Sequence, residues 1–153
     1  MKKRYDLMRH LIIILIIIII FSACSPNSVD NNYYSTSTPD PRESGYMLIE
    51  YAEQYREISS SMIRKSLEQD YSSLETLLDE ATEFGLTVDS LAVTSPYANA
   101  KDYFTRWIVY DCLTYQLILN NGSKEEISNS ISESMNWSME FVNEMIKLGH
   151  KFY

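Results

Sequence analysis

Glycine and proline are scarce in this chain, with four of each in 153 residues, and cysteine and histidine are scarcer, with two of each. One cysteine, Cys24, and one histidine, His10, fall in the first 24 residues, so the remainder holds a single thiol, Cys112, and a single imidazole, His150. That excludes a disulfide framework within the domain and zinc-ligand spacing, and no Ser-His-Asp motif is recognisable. A cysteine nucleophile would have only His150 as its base. There is no glycine-rich phosphate loop and no Glu-x-x-His element of the kind that holds a di-iron centre, so neither a metal nor a cofactor is expected. Basic residues run short as well. From Cys24 onward nine stand against twenty acidic ones, a net charge of −11. Phosphates and anionic headgroups repel such a surface, which argues against nucleic-acid binding and against adhesion of the domain itself to a membrane.

What is abundant comes first at the N-terminus. Lys2, Lys3, Arg4 and Arg9 precede "LIIILIIIIIF", residues 11 to 21, which has no polar side chain. A basic start, a short apolar run and small residues before a cut site are the parts of a secretory signal peptide. A permanent span is the alternative, but residues 11 to 24 would cover only about 21 Å of a roughly 30 Å hydrocarbon layer. The run ends at Phe21-Ser22-Ala23-Cys24, which resembles the lipobox of bacterial lipoproteins. That resemblance implies cleavage between Ala23 and Cys24, with a diacylglyceryl group on the Cys24 thiol. Phe21 stands where the family usually has leucine. Two acyl chains at about 0.8 kcal/mol per buried CH2 attach a protein durably, where one chain does so only marginally.

Residues 24–45 follow as a polar stretch of Ser, Asn, Asp, Thr and Pro, with only Val29, Tyr33 and Tyr34 as bulky members. Too little apolar surface is present to offset the entropy of ordering, so a disordered tether is expected, spanning about 25 Å. Residues 46–153 then read as one small helical domain. Leu48, Tyr51, Tyr55, Ile58, Met62 and Leu67 recur at helical spacing, as do Leu74, Leu77, Leu78 and Ala81. No Gly or Pro interrupts residues 46 to 84. A turn near Asp70 to Ser72 is nevertheless favoured, because one helix would be roughly 58 Å long and Ser72 to Glu75 has capping-box spacing. Gly85 reads as the C-terminal cap of the second helix, and Ser95-Pro96 as the start of the third.

That third helix contains "WIVYDCLTYQLIL", apolar on most of its circumference and therefore the best candidate for the most buried element. Gly122 closes it, and Ser123 with Glu126 offers a second capping box. The last helix carries the stripe Ile127, Ile131, Met135, Met139, Val142, Met145 and Ile146 up to Gly149. Short connections favour antiparallel neighbours, which gives an all-α, antiparallel four-helix bundle on a tether, with a three-helix version as the alternative.

The chemistry-bearing residues attract bland readings. Cys112 should be a small buried hydrophobe, and His150, just past a helix cap, a solvent-exposed decoration. The acidic rows Glu50, Glu53, Glu57 and Glu75, Asp79, Glu83 should face water. Asp111 interrupts the most apolar helix and is left to pair with Arg106 or Tyr115 or to face solvent. Eight tyrosines between 46 and 115, with Trp107 and Trp137, exceed what such a bundle must bury. Tyr and Trp are hot-spot residues, so Tyr51, Tyr55, Tyr103 and Trp137 are the interface candidates, although most aromatics of a bundle serve as core. In layout the chain resembles small lipoproteins of Gram-positive bacteria that carry a helical bundle on a polar stalk. The resemblance implies a lipid-anchored protein facing away from the cytoplasm, a non-catalytic module for an envelope protein partner. A binder with an aromatic ligand pocket between helices is the alternative.

Overall fold

The structure, a computed structural model, describes residues 40–152; Ala23, Cys24 and the polar stretch up to residue 39 lie outside the described residues. The first helix, α1, spans Pro41–Leu67, five residues earlier than the hydrophobic pattern implies. Its start is set by local chemistry. The Asp40 side chain accepts from the Arg42 amide at 2.8 Å, Pro41 needs no amide partner there, and Glu43 complements the helix dipole. Residues 41 to 45 therefore belong to the domain rather than to the tether. Ser44 is fully buried, and its hydroxyl accepts from the Thr94 amide at 3.2 Å.

A three-residue turn separates α1 from α2, Tyr71–Ser90. Gln69 takes the left-handed conformation, φ 57°, and the Asp70 side chain caps α2 by accepting from the Ser73 amide at 3.3 Å. Asp70, rather than Ser72, is thus the cap. Gly85 does not end α2: it sits mid-helix, where an added Cβ would lie 3.0 Å from the Ile108 side chain. A 3-10 turn, Ser95–Tyr97, holds Pro96 and leads into α3, Ala98–Leu119. Asn121, with φ 55°, takes the left-handed position, and Gly122 returns its amide to the Leu117 carbonyl at 2.7 Å. The helix α4, Lys124–Lys147, opens on the expected box: the Ser123 hydroxyl accepts from the Glu126 amide, and the Glu126 carboxylate accepts from the Ser123 amide at 2.8 Å. It closes at Gly149, whose φ of 90° suits a residue without a Cβ.

The four helices form an up-down-up-down bundle. Of these, α3 is the centre and packs against each of the others, whereas α1 and α4 do not pack along one another. Gly45 approaches Tyr97 at one end of α1, and Ser59 reaches Asp111 further on, so α1 and α3 run parallel. The core is drawn from Leu48, Tyr55 and Met62 of α1, Leu74, Ala81 and Val88 of α2, Phe104 and Ile108 of α3, and Phe141 and Met145 of α4. Burying each large side chain contributes about 1.5–3 kcal/mol. Leu67, by contrast, is exposed.

The inward face of α4 differs from its apolar stripe. Ser130, Ser134, Phe141 and Met145 are buried, while Ile131, Met135, Met139 and Ile146 remain 43%, 60%, 61% and 54% exposed. The reason lies across the interface: α3 presents Asp111, Thr114 and a carbonyl there, and only hydroxyls satisfy them. The Ser130 hydroxyl donates to the Tyr110 carbonyl at 3.0 Å and lies 2.9 Å from the Thr114 hydroxyl. Burying a leucine in place of Ser130 or Ser134 would remove a hydroxyl partner from Thr114 or Asp111. No helix among the described residues is long and apolar enough to cross a membrane.

Candidate functional site

The polar point in the most apolar helix is the best site the fold offers. Asp111 is half-buried and accepts three hydroxyl hydrogen bonds from two other helices. Tyr55 and Ser59 of α1 donate to Oδ2 at 3.1 and 2.7 Å, and Ser134 of α4 donates to Oδ1 at 2.7 Å. Neither expected partner is used. Arg106 bonds Asp102 at 2.9 Å instead, with its guanidinium 4.7 Å from the centre of the Trp137 ring, and Tyr115 makes no hydrogen bond to the carboxylate. Among the described residues no Lys, Arg or His forms an ion pair with Asp111.

The carboxylate marks its surroundings. Burial first, with the neighbouring Asp111 carboxylate adding to it, holds the Tyr55 hydroxyl well above its ordinary pKa. Burial likewise raises Tyr115, with Asp111 adding to it. Both phenols therefore stay protonated, and Tyr55 remains a donor. The Cys112 thiol is pushed up to about 12, mainly by burial and partly by Asp111, against a hydrogen bond with Thr82 that acts the other way. A thiol so placed carries almost no thiolate at neutral pH, and thiolate is the reactive form.

His150 is not a solvent decoration. Its Nε2 shares a 2.8 Å hydrogen bond with the Tyr97 hydroxyl, and its ring meets Tyr46 edge-on with centroids 5.9 Å apart. A Cβ at Gly45 would collide with that ring and lie 2.9 Å from Tyr97. The imidazole thus clasps the chain end to the start of α1 and stands apart from Asp111.

The interface candidates separate. Tyr55 is fully buried, so it cannot serve as free contact surface; its ring meets Phe84, Phe104 and Trp107, with the last at 5.3 Å. Tyr51 is half-buried against Phe84. Tyr103 and Trp137 stack at 5.8 Å, also half-buried, and the Trp137 Nε1 is enclosed without a hydrogen-bond partner. Both acidic rows face water, and no group of three or more His, Cys, Asp or Glu among the described residues is placed to hold a metal. One surface depression is lined wholly by α1, from Glu53 to Arg64, and another wholly by α4, from Glu133 to Asn143. Neither is an aromatic pocket between helices.

Sequence reasoning missed Ser59 and Ser134 as partners of Asp111. The signal was present in Ser130, Ser134 and Ser138, which follow one another at four-residue steps on α4. Compared with known proteins, the chain matches no family model, no curated protein and no solved structure.

Proposed function

We propose that this chain is a lipid-anchored protein facing away from the cytoplasm, a non-catalytic interaction module for a protein of the cell envelope. Cys24 would carry the diacylglyceryl group after cleavage at Ala23, and the polar stretch would tether the bundle. The short basic and apolar leader ending in Phe21-Ser22-Ala23-Cys24 supports the anchor. The observation that carries the interaction is the exposed row Ile131, Met135, Met139 and Ile146 on α4, in a domain whose surface is otherwise strongly acidic. Single exposed hydrophobes are ordinary, but a contiguous row marks a contact surface. The polar groups that would do chemistry are already engaged: Asp111 by three hydroxyls, His150 by Tyr97, and Cys112 as an unreactive thiol. A tether raises the concentration of the bundle near membrane partners.

The experiment is mild crosslinking of intact cells, comparing the native chain with Cys24→Ser and Met135→Glu. The anchor predicts that Cys24→Ser loses its lipid mass and leaves the membrane fraction. The contact surface predicts a crosslinked species of defined mass that Met135→Glu removes while the helical signal persists. An unchanged membrane fraction with Cys24→Ser counts against the anchor. No crosslinked species, or one indifferent to Met135→Glu, counts against the interaction role.

A further inference from the structure

The described residues hold five methionines, and the fold sorts them. Met62 and Met145 are fully buried and Met47 is half-buried, whereas Met135 and Met139 are 60% and 61% exposed. The exposed two stand one helical turn apart on the outer side of α4, where residues four apart are neighbours. The one thiol among the described residues, Cys112, is held protonated by burial and so does not compete for an oxidant. Trp137, the other oxidisable side chain between them, is covered. Its ring stacks on Tyr103 at 5.8 Å, the Arg106 guanidinium lies 4.7 Å from its centre, and its Nε1 is enclosed.

We propose that Met135 and Met139 form a reversible oxidation site for a small hydroperoxide, and that their sulfoxides turn the exposed row of α4 polar. The site follows from exposure and neighbourhood alone; its effect on a partner rests on the interaction-module reading. In the step, a thioether lone pair attacks the terminal oxygen of the hydroperoxide, so that an S–O bond forms and the O–O bond breaks. The hydroxyl proton passes to the leaving oxygen, which departs as water or an alcohol. The sulfur gives up two electrons and the peroxide accepts them. Charge decides the class of oxidant. Glu133 and Glu140 line the same surface depression as Met139, on a domain that is strongly acidic throughout. An uncharged hydroperoxide approaches that surface freely, whereas an anionic oxidant is repelled. The product replaces a flexible apolar side chain by a polar, chiral one. Both side chains lie outside the core, so the helices stay intact while the row from Ile131 to Ile146 loses its apolar middle. The same change at Met62 or Met145 would instead disrupt the core. Methionine sulfoxide reductases, one for each epimer, reverse it, a dithiol removing the oxygen as water and becoming a disulfide.

The test treats intact cells carrying the full chain with hydrogen peroxide and reads peptide masses. Met135 and Met139 should each gain one oxygen atom, at least about tenfold faster than Met62 and Met145. In urea that preference should disappear. The purified, oxidised chain should keep its helical signal in circular dichroism, and the reductases with dithiothreitol should remove both oxygens. The crosslinked species that Met135→Glu removes should also be lost on oxidation and return on reduction. Met135→Leu combined with Met139→Leu keeps the row apolar without sulfur, so that variant should hold the crosslink under peroxide. Oxidation that reaches Met62 and Met145 equally fast in the folded chain, or that spares the exposed pair, overturns the site. A crosslink that survives complete oxidation of both sulfurs overturns the change of surface character. If no crosslink forms in untreated cells, the interaction role falls, and the peptide masses still decide the oxidation site.

Discussion

The two ends of the bundle solve the same packing problem with different materials. Where α1 and α3 begin, the space between helices is filled by rings: Phe104 meets Phe141 at 5.1 Å and Trp107 at 5.7 Å, Phe141 meets Phe152 at 6.1 Å, and His150 closes the edge against Tyr97. Where α1 and α3 end, the interface is lined by Ser59, Thr114, Ser130 and Ser134 around one carboxylate. Rings are large enough to bridge a gap alone, whereas short hydroxyl side chains reach only across a narrow one. The aromatic end is therefore closed by rings, and the hydroxyl end is held by hydrogen bonds that converge on α3. Large buried rings concentrate at the first, and shared hydroxyl hydrogen bonds at the second.

Phe104→Ala tests the closed end and should have the largest effect. Phe104 is fully buried and meets Tyr55, Trp107 and Phe141, so truncation removes three ring contacts and leaves a cavity. The expected loss is about 3–5 kcal/mol in urea unfolding. A loss below about 1 kcal/mol would mean that the rings are not what holds this end.

Asp111→Ala probes the other end and should cost about 1–3 kcal/mol, because the Tyr55, Ser59 and Ser134 hydroxyls would lose a shared acceptor. Asp111→Asn, which keeps a carbonyl acceptor, should recover part of that loss. Were Asp111→Ala more damaging than Phe104→Ala, the contrast between the ends would be reversed.

How far these features were legible in the sequence follows the range of the interactions. The four helices, the turn at Asp70 and the box of Ser123 and Glu126 are local, and periodicity with capping chemistry finds them. The start of α1 is marked locally by Asp40, Pro41 and Glu43, but apolar periodicity begins only at Tyr46, and the burial of Ser44 against Thr94, fifty residues away, has no local signal. The face of α4 was misassigned for a related reason. Spacing alone selects Ile131, Met135 and Met139, and only the polar groups of α3 explain why serines turn inward instead. His150 likewise looked idle until Tyr97 was beside it. Asp111 could be noticed from its apolar neighbours, but its three donors could not be chosen from the many hydroxyls.

Gly45→Ala returns to the closed end with a smaller effect. The added methyl collides with the His150 ring, and the ring or α1 must move, at an expected cost of about 1–3 kcal/mol. His150→Ala vacates that space, so the double variant should be more stable than the sum of the two losses. Strict additivity in urea unfolding would show that His150 does not clasp α1.

Gln69→Gly, at the turn between α1 and α2, should have the smallest effect and the opposite sign. Gln69 holds a φ of 57° so that its own amide can reach the Ser66 carbonyl at 3.1 Å and the Asp70 amide the Lys65 carbonyl at 3.0 Å. An L-residue with a Cβ takes that conformation at a cost of about 1–2 kcal/mol, which glycine does not bear. Glycine in turn loses more freedom on folding, by roughly 0.5–1 kcal/mol. The balance favours glycine by about 0.5–1 kcal/mol, seen as a higher urea midpoint with an unchanged slope. The neighbours limit how far the turn can shift to avoid the strain. Lys65 bonds Glu68 and Asp70, both at 3.0 Å, while Asp70 caps α2. A destabilised Gln69→Gly would mean that the glutamine side chain supports the turn in a way that outweighs its backbone strain.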